Sequence, residues 1–212
     1  MKTNKKGVPD GLSGVAGTVI ASSWRGIPYI KSKPDIIHPS KSPKLKANRG
    51  KFREAFKFVK ALKELVAITF NNPDAKMTAF NSAVSYTLKN AVLGEPPAVS
   101  IDYARALVSR GELPNADNPS AATGAAGTIV FNWMNNAGIG RAKAGDKVIL
   151  VAYSRKLDYC EFTIGDALRE AGSAVLDMDE YGGCRVQTYI AFISENGLEI
   201  SNSIYTGEIT LV

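Results

Sequence analysis

One step in the 212-residue chain combines side chains suited to molecular recognition, and it lies in the stretch SSWRGIPYIKSKP, residues 22–34. Trp24 stands beside Arg25, and Tyr29 follows four residues later. An exposed Trp beside an Arg suits an interface anchor, or stacking on a base or a sugar. The competing interpretation is that Trp24 covers neighbouring helices and Arg25 pairs with an acid, since large aromatic side chains are mostly buried. The stretch would then be a docking strand followed by a tether.

Basic residues crowd the same part of the chain. Residues 1–60 hold 14 Lys and Arg against three Asp and Glu, whereas the remaining residues hold 12 against 17. This asymmetry predicts that the N-terminal part meets something acidic, either nucleic acid or the acidic second half of a neighbouring copy. Because only Tyr29 and Phe52 interleave with the cations, a solvated or subunit-facing arm is favoured over a single-strand binder. The candidate interaction residues are Trp24, Arg25, Tyr29, Lys31, Lys33, Lys41, Lys44, Lys46, Arg49, Lys51 and Arg53.

Residue types that serve catalysis or metal binding show no working arrangement in the sequence. The single histidine, His38, excludes a histidine-based triad, and Ser22 and Ser23 have no base partner. The acidic turn LDMDEYGG does not have the spacing of a calcium loop. The glycine-rich residues 7–20 lack the preceding strand and following helix of a phosphate loop. We therefore expect no enzyme activity, no cofactor and no bound metal.

The two cysteines, Cys160 and Cys184, fall in predicted strands without a CxxC spacing. This placement favours two buried free thiols. A disulfide would require the two strands to be neighbours.

The N-terminus has a charged start but no apolar segment behind it, and no apolar run approaches the length of a membrane span. The sequence therefore predicts a cytoplasmic or particle-associated protein without a signal peptide or a transmembrane segment.

The N-terminal elements that position the candidate residues are short. Val19-Ile20 and Ile27 to Ile30 predict a two-stranded hairpin, with Pro28 tolerated only at an edge or a bulge. Such a hairpin is marginal alone and must dock on something. Residues 31–50 are predicted to be a basic linker, because three prolines deny them a regular helix. We assign residues 1–50 to a hairpin and basic linker arm.

Apolar residues at helical spacing follow the linker. Residues 51–70 predict an amphipathic helix with Phe52 and Phe56 in its core stripe, and a second helix is expected at about 77 to 92. The short connection predicts an antiparallel helical hairpin, which we assign to residues 51–95.

From about residue 98 the apolar period changes to two. Seven short strands separated by turn signals predict a β-sandwich over residues 96–212, with Trp133 buried in its core. The only helical insert expected there is Gly165 to Gly172. The predicted fold class is mainly β with an α insert: N-terminal hairpin and linker, two-helix hairpin, and C-terminal immunoglobulin-like sandwich.

Three resemblances add to these patterns. The C-terminal run VQTYIAFISENGLEISNSIYTGEITLV resembles the last two strands of fibronectin type III-like and immunoglobulin-like domains. An uncharacterised Bacteroidota family resembles the chain over nearly the full length, in the successive segments GVAGTVIASSWRGIPYIKSKP, RGKFREAFKFVKAL, FNSAVSYTLKNAVLGEPPAVSIDYARALVSRGELPNA and YIAFISENGLEISNSIYTG. The front half, with its glycine-rich start, proline-containing linker and Arg-started helix, is similar to phage virion proteins. The last resemblance implies assembly rather than catalysis.

Together these observations predict a non-enzymatic structural or assembly protein, of a phage or a phage-derived particle, that self-associates or joins a structural partner through its basic arm. The first alternative is a binding module that grips a glycan or a protein with the sandwich loops or Trp24. The second is a nucleic-acid binder, whose affinity would fall steeply with salt.

Overall fold

A computed structural model of the chain describes residues 13–24, 27–34, 42–70, 77–125, 127–178 and 182–211. The chain divides into two compact units, Met1–Ser42 and Pro43–Val212. The helices and the C-terminal sheets therefore belong to the same unit.

The N-terminal unit contains a three-stranded antiparallel sheet. Its strands are β1 (Gly14–Ala16), β2 (Val19–Trp24) and β3 (Ile27–Ser32), in the order β1-β2-β3. The predicted pairing of the second and third strands is confirmed, and Pro28 lies on an edge strand, where its missing N–H is tolerated. Gly17, with φ of +59°, makes the tight turn between β1 and β2. The sequence did not predict β1.

Three helices open the second unit: α1 (Pro43–Ala61), α2 (Lys63–Thr69) and α3 (Ala79–Asn90). The predicted linker over residues 31–50 is wrong at its C-terminal end, because α1 already begins at Pro43. Proline is compatible with the first turn of a helix, where a backbone N–H has no intrahelical partner. The two predicted helices are otherwise found in place, with the first interrupted at Leu62. The Thr78 hydroxyl caps α3 by accepting a hydrogen bond from the Asn81 N–H at 3.2 Å.

The β-rich part begins with a short ladder of β4 (Val92–Leu93) and β5 (Ser100–Ile101). Two larger antiparallel sheets follow, with the orders β10-β7-β6 and β12-β11-β8-β9. Their strands are β6 (Asp117–Thr123), β7 (Thr128–Met134), β8 (Lys147–Ser154), β9 (Tyr159–Leu168), β10 (Ser173–Asp177), β11 (Arg185–Ile193) and β12 (Ile204–Thr210).

The predicted elements of the β-rich part and the observed ones differ at three places. Residues 98–103 form only the two-residue β5, whereas β6 was not predicted because its sequence, DNPSAAT, lacks an apolar alternation. The predicted helical insert at Gly165 to Gly172 is wrong. Strand β9 continues through Gly165, where a register shift against β8 accommodates its φ of +91°, and only Arg169–Ala171 form a short 3-10 helix.

The second unit has three layers, with the four-stranded sheet in the middle. Helices α1 to α3 pack on one face of this sheet, against residues that include Val151 and Tyr189. The three-stranded sheet packs on the other face, where Trp133 is buried as predicted and lies edge-to-face on Phe192, with ring centroids 5.7 Å apart. Because both faces are covered, β8 and β11 are buried almost throughout and carry continuous apolar runs. Cys160 and Cys184 are free and buried, which confirms the prediction.

A buried ion pair joins the loops at one end of the two sheets. Arg169 and Asp146 are both fully buried, and the Arg169 Nε lies 3.1 Å from Asp146 Oδ2. The same guanidinium donates to Asn136 Oδ1 at 2.7 Å and to the Pro114 carbonyl at 2.8 Å, and it covers the Phe192 ring at 4.2 Å. One side chain therefore connects the segments that flank four strands, β6 to β9.

Candidate interaction surfaces

The candidate residues predicted from the sequence are divided between the two units. Arg25 and Lys41 lie outside the described residues. The N-terminal sheet and the residue that follows it carry Trp24, Tyr29, Lys31 and Lys33. Helix α1 carries Lys44, Lys46, Arg49, Lys51 and Arg53. The predicted arm is thus two surfaces, each of which is described by itself.

The register of the N-terminal sheet places both of its described aromatic side chains and three aliphatic ones on one face, with Val19 and Ile30 on the other. Val15 pairs with Ile20, and Trp24 pairs with Ile27, while Tyr29 lies opposite Ser22. Because side chains alternate along a strand and paired residues share a face, one face contains a set that we call the apolar sheet face: Val15, Ile20, Trp24, Ile27 and Tyr29. Lys31, opposite Ile20, lies at its margin.

This sheet has no core of its own. None of the residues in β1, β2 or β3 is buried, and Ile27 and Val15 are 65% and 62% exposed. Small sheets of two or three strands gain stability by covering a hydrophobic face. A cluster of exposed apolar and aromatic residues of this kind marks an interaction surface.

Helix α1 forms the second surface, and it is strongly basic. Its only carboxylate is Glu54, which lies near Arg53 and Arg155. Lys51 is paired with Glu95. Lys44, Lys46 and Arg49 have no carboxylate within 4.0 Å in the described part of the chain. The N-terminal half of α1 therefore presents cations that form no ion pair with the carboxylates of the described residues.

Sequence analysis missed an apolar groove between α1 and α3. The side chains of Phe52 and Phe56, expected in the core, are instead 50% and 40% exposed. Phe52 stacks on Phe56 with centroids 5.8 Å apart, and Phe56 meets Phe80 edge-on at 5.4 Å. The groove has a volume of about 310 Å³, and we call it the helix groove. It is lined by Phe52, Phe56, Phe80, Asn81, Val84, Ser85, Leu88 and Lys89.

The prediction that Phe52 and Phe56 are buried is wrong for a geometric reason. The buried positions of α1 include Ala55, Phe58 and Val59. At 3.6 residues per turn, Phe52 and Phe56 lie roughly 70° and 110° around the helix from the centre of that buried stripe. A sequence signal was present, since an aromatic pair at i and i+4 outside the core stripe forms a second apolar stripe on the same helix.

Two titratable groups buried between the helices and the four-stranded sheet, Cys160 and Tyr189, are held in their neutral forms. Burial raises the pKa of the Cys160 thiol and of the Tyr189 hydroxyl, so both stay protonated at neutral pH. The Tyr189 hydroxyl donates to the Tyr103 carbonyl at 2.9 Å. These groups serve packing, since the reactive form of a cysteine is the thiolate.

The described residues contain neither a candidate metal site nor a candidate membrane-spanning helix. No three His, Cys, Asp or Glu side chains of the described ranges group to hold a metal ion. Among the helices described above, none combines the length and the apolar character needed to cross a membrane.

The layered second unit, the apolar sheet face and the helix groove are the features with which the chain can be compared with known proteins. It belongs to DUF6266, a family of unknown function whose model matches residues 11–207. The expected membership of an uncharacterised family is thereby confirmed. No curated protein matches the chain. A solved structure titled "Myokine structure" is 12% identical to it, with a TM-score of 0.35, over 47% of this chain and 98% of that one.

Proposed function

We propose that this chain is a non-enzymatic assembly protein, of a phage or a phage-derived particle, whose N-terminal unit docks on a neighbouring copy of the same chain. The observation that carries the proposal is the apolar sheet face, which is exposed on a sheet without a buried residue. Covering this face stabilises the sheet and joins two subunits at the same time.

The charge distribution supports a second copy as the partner. The N-terminal unit, residues 1–42, holds seven Lys and Arg against two Asp and Glu, whereas residues 61–212 hold 12 against 17. A basic unit that meets the acidic part of the next copy makes a head-to-tail contact, and such contacts generate rings or filaments. Opposite charges on the two surfaces would also speed their encounter.

We also propose that the two larger sheets form an immunoglobulin-like or fibronectin type III-like scaffold. Numbered from β6, the first, second and fifth strands form one sheet and the other four form the second sheet. Immunoglobulin-type sandwiches likewise separate strands A, B and E from C, F and G, but their fourth strand, D, lies with A, B and E, whereas β9 lies in the other sheet here. A departure is that the buried Trp133 lies on the second strand, not on the third. The scaffold itself carries no function.

Two isoleucines of β3 provide a matched test of the docking face. Ile27 lies on the apolar sheet face, and Ile30 lies on the opposite face with a similar exposure, 53% against 65%. Burying an isoleucine side chain stabilises a contact by about 1.5–3 kcal/mol. We expect Ile27→Ser to weaken self-association about 10-fold to 100-fold, and Ile30→Ser to change it less than about threefold, as measured by sedimentation velocity.

The outcome against the proposal is equally specific. Equal effects of the two substitutions would exclude the apolar sheet face as the contact. A wild-type chain that sediments as a monomer at every concentration would exclude self-association.

A further inference from the structure

We propose that the helix groove is a docking site for an amphipathic helical segment of a different protein, one that carries carboxylates along its flanks. This proposal is independent of the N-terminal docking proposed above, because that contact joins the apolar sheet face to an acidic surface, whereas the helix groove lies wholly in the second unit and its charged lining residue, Lys89, is a cation.

The floor of the helix groove suits the apolar side of a helix. Three phenylalanines meet in it, with Phe56 contacting both Phe52 and Phe80. Val84 and Leu88 continue the apolar wall along α3 for a further turn. A groove between two helices with exposed aromatic anchors receives side chains spaced at i, i+3, i+4 and i+7 on a bound helix. The shape therefore favours a helical segment over a flat surface.

The charges around the helix groove select the sign of the partner. Its only charged lining residue is Lys89, and Arg49 lies one turn before Phe52 on the same side of α1. Neither cation has a carboxylate within 4.0 Å in the described part of the chain. Glu95, an acid near α1, is already paired with Lys51. A segment with flanking carboxylates complements this margin.

The same charges argue against a second copy as the occupant. The helix groove of another copy would bring Arg49 and Lys89 of like sign towards these cations. Like charges placed opposite each other disfavour a contact. A groove-to-groove contact between two copies is therefore disfavoured, and the occupant that we propose is a segment of a different, acidic protein.

A labelled model peptide tests the proposal on the full-length chain. The probe is a fluorescein-labelled 14-residue helix with Leu at positions 1, 4, 5, 8, 11 and 12 and Glu and Ala elsewhere, about 21 Å long. A peptide of the same composition in scrambled order is the first control, and a peptide with Lys in place of Glu is the second. We expect micromolar binding of the probe by fluorescence anisotropy, and at least tenfold weaker binding of both control peptides.

Matched variants assign the binding to the helix groove. Phe52→Ser should weaken binding of the probe at least tenfold, whereas Ile68→Ser, also 50% exposed but on α2 away from the groove, should change it less than twofold. The double variant Arg49→Glu and Lys89→Glu should reverse the preference towards the Lys peptide. Lys156→Glu, in the exposed turn after β8, should not. All these positions are exposed, and circular dichroism verifies the fold of each variant.

Several results would overturn the proposal. Equal binding of the ordered and scrambled peptides would do so, as would equal losses for Phe52→Ser and Ile68→Ser. Tighter, Phe52-dependent binding to phosphatidylserine vesicles or to single-stranded DNA would assign the surface to a membrane or to nucleic acid instead. Sedimentation of the same variants separates this result from the N-terminal docking, which they should leave unchanged.

Discussion

Arg169 shows how a single residue holds several loops of the fold together. Its side chain is fully buried, and it contacts Asp146, Asn136 and the Pro114 carbonyl. The Trp133 indole also donates to the Arg169 carbonyl at 2.8 Å. Within the described ranges Asp146 Oδ1 has no hydrogen-bond partner, while Oδ2 also accepts from the Lys143 N–H at 2.9 Å. The Arg169 guanidinium supplies the opposite charge that compensates for burying this carboxylate.

Removal of Arg169 should therefore cost far more than removal of an exposed arginine. We expect Arg169→Ala to lower the free energy of unfolding by about 3–5 kcal/mol, because it leaves the Asp146 charge buried and unpaired. Arg141→Ala, which removes partly exposed pairs with Glu199 and Glu112, should cost at most about 1 kcal/mol. Urea denaturation measures both. Similar losses for the two variants would show that the Arg169 contacts contribute little.

The sequence predicted the burial of some residues but not the contacts between residues that are distant along the chain. Burial of Trp133, Cys160 and Cys184 follows from their place in apolar strands, which is local information. The Arg169–Asp146 pair is separated by 23 residues and meets only once the sheets have packed, so no short pattern indicates it. For the candidate interaction residues, the sequence indicated the residue types, aromatic and basic, that the N-terminal sheet and α1 present. Their division between two units needed the folded chain.

Among the elements, α1 has two different apolar stripes with different roles. Phe58 is 1% exposed and meets Tyr153 edge-on with centroids 5.0 Å apart, at the contact between the helices and the sheet. Phe52, six residues earlier on the same helix, is half exposed in the helix groove. The two phenylalanines therefore form a matched pair.

We expect Phe58→Ala to lower the free energy of unfolding by about 3–5 kcal/mol, because it opens a cavity in the core. Phe52→Ala should cost at most about 1 kcal/mol, since a half-exposed ring loses little burial. Urea denaturation of both variants is the measurement. Comparable losses would mean that the helix groove is part of the folding core.

Apolar periodicity predicted the helices and strands whose buried side chains recur at regular spacing. It failed at a helix start that contains proline and at a polar edge strand. The helices at 51–70 and 77–92 and most strands were found in place because their apolar periods are regular. The sequence did not predict the start of α1, because a proline usually breaks a helix, whereas Pro43 occupies the first turn, where proline is compatible with a helix. Strand β6 was missed because it is a polar edge strand, and its Pro119 is compatible with such an edge.

At the scale of the whole molecule, the hydrophobic cores and the proposed assembly surface lie in different units. Both hydrophobic cores lie within residues 43–212, where the four-stranded sheet is covered on both faces. The N-terminal sheet contributes no buried residue to a core. Deletion of residues 1–42 should therefore leave the second unit folded, with an unchanged free energy of unfolding at a concentration where both chains are monomeric.

The mass in solution of the full chain and of the chain lacking residues 1–42 tests the central claim most directly. Multi-angle light scattering across a range of concentrations measures both. We predict a defined oligomer or a growing filament for the full chain, and a folded monomer for the shortened one. A full chain that stays a monomer throughout, or a shortened chain that keeps the full oligomeric state, would contradict assembly through the N-terminal unit.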